Sequence, residues 1–77
     1  MTTSAQWLES FAERLGVEPP SEEERDAILA LAGVAAHASE RTAAPVACWM
    51  AAAAGLSVEE AIDLARQIGP QTADLAP

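Results

Sequence analysis

One stretch constrains this chain more than any other: Ala43-Ala44-Pro45-Val46-Ala47-Cys48-Trp49-Met50-Ala51-Ala52-Ala53-Ala54-Gly55, which holds no charged or strongly polar side chain. Pro45 suits the first turn of a helix, where its missing N–H costs nothing. Gly55 suits the left-handed residue that closes one. A helix over 45–54 makes about three turns and runs ~15 Å. That is too short for a bilayer, which needs ~20 apolar residues. A helix apolar on every side is expected to be buried on every side. The rest of the chain is therefore expected to wrap it.

The covering material is limited. The chain has 77 residues, which is one domain. A domain of this size buries a modest share of its surface. Many of the apolar residues are alanines, so bulkier side chains must carry the core: Trp7, Leu8, Phe11, Leu15, Ile28, Leu29, Leu31, Val34, Val46, Trp49, Met50, Leu56, Val58, Ile62, Leu64 and Ile68. Among these, Trp7, Phe11, Trp49 and Met50 are expected to anchor the core or an interaction surface rather than serve as stacking platforms.

A first helix is predicted over 4–15. Thr3 and Gln6 have the spacing of a capping box, and Trp7, Phe11 and Leu15 recur every four residues on one face. Gly16 stops it, and Val17-Glu18-Pro19-Pro20 forms a stiff linker. A second helix is predicted over 21–41, with Ser21 and Glu24 as its box. The carboxylates Glu22, Glu23, Glu24 and Asp26 favour its positive N-terminal end, so they need no metal to explain them. Within its apolar run, Ala32 and Gly33 are small enough to admit another backbone. Thr42-Ala43-Ala44 turns the chain tightly into the third helix, which makes the second and third antiparallel neighbours. Ser57 and Glu60 cap a fourth helix over 58–68, with Val58, Ala61, Ile62, Ala65 and Ile68 on its apolar face, widened by Leu64. The expected fold is all-α: a compact bundle of four helices in one domain over 1–70, the second and third most buried, followed by a frayed tail over 71–77.

The net charge is −8, with no lysine. Nucleic acid and anionic membranes attract basic patches, so both are poor partners. The single cysteine, Cys48, cannot form an internal disulfide, and Met1-Thr2-Thr3-Ser4 has neither a basic nor an apolar leader segment. A cytoplasmic protein is expected. Two helices apolar nearly all round, with only two amphipathic helices to cover them, point to a homodimer or another protein partner.

The sharpest site the residues suggest is an anion-binding corner. His37 and Arg41 are four apart and share a face if the helix continues through both. The turn leads to Pro45 and Val46, where a helix N-terminus offers free N–H groups to the phosphate of a small molecule. The simpler account is that His37 and Arg41 cap the last carbonyls of their own helix. His37, Glu40 and Cys48 lack a recognised metal spacing. Cys48 in an apolar helix is a small core residue rather than a nucleophile. No catalytic residue, metal or cofactor is indicated, and the chain is read as a non-enzyme.

The run Ile28-Leu29-Ala30-Leu31-Ala32, then Val34-Ala35-Ala36-His37, Glu40-Arg41, Ala44-Pro45 and the alanine-rich helix to Gly55 resembles a small actinobacterial all-helical domain of unknown function. Trp7-Leu8 and Leu15-Gly16 fit the same likeness, while Trp49-Met50 stand where Phe-Leu-like residues are expected. That family occurs alone or fused to molybdenum cofactor guanylyltransferases. The resemblance implies an accessory role in making or delivering molybdopterin guanine dinucleotide, and it carries no catalytic residues with it.

Overall fold

The computed structural model describes residues 3–68, which form four helices: α1 (Ser4–Leu15), α2 (Glu22–Ala38), α3 (Ala43–Ala53) and α4 (Val58–Ile68). The expected tail over 71–77 lies outside the described residues.

Three helix starts are fixed by reciprocal side-chain bonds. The Gln6 amide donates to the Thr3 hydroxyl at 3.1 Å, and the Thr3 amide donates to the Gln6 side chain at 3.0 Å. Ser21 and Glu24 repeat the arrangement at 3.1 and 2.8 Å, and Ser57 and Glu60 at 3.1 and 3.2 Å. Each box satisfies two amides that a helix start otherwise leaves unpaired. Gly16 ends α1 at φ +74°, where its N–H reaches back to Glu13 at 3.2 Å. Gly55 takes the same φ after α3, with its N–H on the Ala52 carbonyl at 3.1 Å.

Two boundaries differ from those expected. α2 ends at Ala38, where the Ser39 N–H closes on the Ala35 carbonyl at 3.1 Å, rather than running on to Arg41. α3 starts at Ala43, so Pro45 is its third residue instead of its first. The first turn has no intrahelical partner for its N–H groups, so proline is tolerated at any of its positions.

α2 is the axis. α3 and α4 both pack against it. α1 sits beside the linker and the first turns of α2, where Ala5, Leu8 and Glu9 face Pro19, Pro20 and Arg25 across a small cleft. Among the described residues the buried ones are Ala12, Leu31 and Ala61, one each on α1, α2 and α4, with Leu31 only 3% exposed.

This corrects the expectation that α3 is wrapped. α3 has no buried residue, and Trp49 is 71% exposed. Trp7, Phe11 and Met50, offered as core or interaction anchors, are also on the surface of the single chain. The physical reason is a shortage of covering area. α2 lies between α3 and α4 and can mask one side of each, and α1 sits at its opening turns. The all-apolar α3 therefore turns one side to α2, through Ala47, Cys48 and Ala51 at intermediate exposure, and leaves the other uncovered. Gly33 also differs from its expected role: a Cβ built there meets nothing within 4 Å, so no backbone among the described residues uses the space.

Candidate interaction surface

The surface features that stand out are apolar. On α1, the Trp7 and Phe11 rings lie 5.1 Å apart between centroids, tilted by 33°. They sit one helical turn apart, and Leu15 extends the stripe by another. All three are exposed. The buried Ala12 and half-buried Leu8 belong to the adjoining face, the one turned toward the chain's own linker. α1 therefore has an apolar arc of which only part is used internally.

On α3, Val46, Trp49 and Met50 are exposed at the i, i+3, i+4 spacing of one helix face. Between α3 and α4 runs an open groove with α2 as its floor. It comprises two adjoining hollows of about 210 Å³ and about 270 Å³ that share Ala47, Ala65 and Ile68. Leu31, Val34 and Ala35 form the floor, alanines such as Ala51 line the α3 wall with Met50 at its edge, and Leu64 and Ile68 stand on the α4 wall. Among the described residues the lining contains no charged side chain, and Ser39 is its one polar side chain. A space with this composition suits apolar side chains.

The His37–Arg41 corner has a different geometry from the one the spacing suggests. Because α2 stops at Ala38, His37 is in its last turn and Arg41 is in the turn before α3, so they do not share a helix face. Both are exposed. Two of the α3 N-terminal amides are already used: Ala43 donates to the Glu40 carbonyl at 2.9 Å and Ala44 to the Arg41 carbonyl at 3.1 Å. Pro45 has no N–H to give. Thr42 makes no side-chain cap, and its hydroxyl instead donates to the Glu40 carboxylate at 3.4 Å.

A family model described as a domain of unknown function, DUF6457, matches residues 1–76. The chain belongs to this family. No curated protein and no solved structure matches it.

The DUF6457 description names no activity, so the residues themselves carry the functional reading. Cys48 sits against α2, with its thiol directed at the Ile28 carbonyl 3.8 Å away. Burial pushes the thiol pKa up, the opposite of what a nucleophile needs. Among the described residues, no group of three or more His, Cys, Asp or Glu side chains could hold a metal ion. No helix among the described residues is long and apolar enough to cross a membrane.

Sequence reasoning missed the groove. Leu64 and Ile68, one turn apart on α4, are visible in the sequence as part of an apolar face. What the sequence does not show is that α3 and α4 stand on either side of α2 and leave that face open between them.

Proposed function

We propose that this chain is a non-enzymatic helical accessory module that works by docking apolar helix faces onto protein. The observation that carries the reading is the exposure of the largest side chains, Trp49 at 71% and Trp7 at 56%, while the buried residues are mostly alanine. Scattered exposed apolar residues are ordinary, but contiguous ones on two helices plus an apolar groove mark an interaction surface. Trp, Phe and Met are also the residues enriched in the centres of protein interfaces.

The partner class suggested by the resemblance to domains fused to molybdenum cofactor guanylyltransferases is such an enzyme, or a molybdoenzyme that receives its product. Support for this comes from the resemblance alone. The docking reading rests on the exposed side chains and stands apart from it.

The test is affinity capture with the full chain, comparing wild type with Trp49→Asp and Phe11→Asp. Both positions are exposed, and circular dichroism verifies that both variants keep their helices. The reading expects a protein, or further copies of the chain, held by wild type and lost from at least one variant. Identical retention by all three chains overturns it. Calorimetry against a purified guanylyltransferase tests the narrower link, and no heat of binding there removes that link alone.

A further inference from the structure

We propose that the groove between α3 and α4 receives the Trp7–Phe11–Leu15 stripe of α1 from a second copy of this chain, reciprocally, so that the working unit is a symmetric dimer. The inference rests on the docking reading above and names its partner.

Two unmatched apolar surfaces on one chain are the starting observation. The stripe on α1 is large and convex: two aromatic rings in contact with each other and a leucine one turn on. The groove is apolar and walled largely by alanines, with Ala47 and Ala65 shared by both of its hollows. Large side chains fit a surface of small ones, because layers pack by interdigitation. The outer face of α3 is a poorer match for itself, because Trp49 would meet Trp49, whereas Met50 borders the groove.

The dimensions agree. α1 has 12 residues and α3 and α4 have 11 each. At 1.5 Å per residue, α1 spans about 18 Å and the groove walls about 16 Å. A helix laid on α2 between α3 and α4 adds a further helix to the three that form the groove, and its apolar arc fills the open side.

The area is also of the right size. An aromatic side chain carries 150–250 Å² in all, so the half-exposed stripe offers about 300 Å². With the facing groove, each contact buries about 600 Å², and the two contacts of a symmetric pair reach about 1,200 Å², the lower edge of a standard stable interface. Among the described residues the groove lining holds no charge, and the stripe is flanked by Arg14, which borders a shallow hollow with Trp7 and Phe11; that cation and the net −8 of each copy stay at the rim, where salt screens them. α1 does not have to leave its own chain, since Leu8 and Ala12 hold it on an adjoining face.

Sedimentation equilibrium of the full chain at micromolar concentration tests the arrangement. Wild type is expected to be dimeric. Phe11→Asp on the stripe and Ile68→Glu in the groove are each expected to be monomeric, and Trp49→Asp, outside the groove, dimeric. All three side chains are exposed, and far-ultraviolet circular dichroism verifies the helices; Leu64→Glu is the second groove variant if Ile68→Glu loses them. Mixing Phe11→Asp with Ile68→Glu leaves one intact stripe facing one intact groove, so association is expected to return in the mixture, more weakly than in wild type. A monomeric wild type overturns the proposal while leaving the docking reading to its own capture test. A dimer abolished by Trp49→Asp and untouched by Phe11→Asp or Ile68→Glu overturns it as well.

Discussion

The Trp7 ring lies against Phe11, centroid to centroid 5.1 Å, and both residues are left about half exposed. An aromatic pair on a helix surface stabilises that helix weakly, by ~0.2–0.5 kcal/mol for neighbours of this spacing. Its larger effect is to preassemble a rigid apolar ridge.

Exposure sets the first prediction, which separates ridge from core. Leu31→Ala is expected to cost about 2–5 kcal/mol, because Leu31 is buried where the groove floor meets α4. Trp49→Ala is expected to cost less than about 1 kcal/mol under the same conditions, although tryptophan is the larger residue, because exposed positions seldom matter to the fold. Urea unfolding followed by circular dichroism at high dilution measures both. Equal losses would mean that Trp49 is covered within the single chain.

The helix starts give a second prediction, with a pH dependence. Glu24 accepts from the Ser21 amide, and this bond, with the one between its side chain and Ser21, holds its carboxyl below the usual range. A carboxyl with a depressed folded pKa contributes stability above its unfolded pKa and loses it as pH falls through the folded value. Glu24→Gln keeps an acceptor but cannot titrate. Wild type is therefore expected to lose more stability than Glu24→Gln between neutral and strongly acidic pH, as read from melting curves. Ser57→Ala, which removes the hydroxyl capping α4, is expected to cost ~1 kcal/mol at neutral pH.

The capping boxes were readable because all their atoms lie within four residues of one another. Gly16 and Gly55 were readable for the same reason: a left-handed residue after an apolar run has few other meanings. The failures were at longer range. Nothing between His37 and Arg41 breaks a helix by composition, yet α2 ends at Ala38. The all-apolar stretch around Trp49 has the sequence of a buried helix, and a helix destined for a partner's surface has the same sequence. Burial depends on which other segments are long enough to reach, and that is a property of the assembled helices rather than of the stretch itself.

The glycines yield a third prediction, with opposite signs at two sites. Gly33 lies inside α2, where a Cβ meets nothing within 4 Å and no left-handed angle is needed. Gly33→Ala is expected to stabilise the chain by ~0.5–1 kcal/mol, since alanine loses less freedom in a helix. Gly55 has equal space but φ +74°, so Gly55→Ala is expected to destabilise by ~1–2 kcal/mol. Thermal melts of the two variants should move in opposite directions, and a shared direction would contradict these backbone angles.

Cys48 provides a fourth test, of α2–α3 packing. Its thiol faces the Ile28 carbonyl and its pKa is raised by burial. The thiolate is the reactive form, so alkylation near pH 8 is expected to be several-fold slower than for an unfolded-chain cysteine. Urea should bring the rate up to the unfolded value in step with loss of helix. A native rate equal to the denatured one would place Cys48 in water and separate α3 from α2.

The last prediction concerns the His37–Arg41 corner. A phosphate bound at a helix start takes its hold from free backbone N–H groups. At α3 the Ala43 and Ala44 amides are engaged by the Glu40 and Arg41 carbonyls, and Pro45 brings none. The neighbouring Glu40 carboxylate adds repulsion, because it lies in the same turn and accepts from Thr42. His37 ends α2 and Arg41 lies in the turn before α3, so they do not present one helix face to an anion. Millimolar inorganic phosphate is therefore expected to leave the His37 ring and Val46 amide resonances without a saturable shift. A saturable shift that vanishes in Arg41→Ala would show that the corner binds an anion despite the engagement of the Ala43 and Ala44 amides.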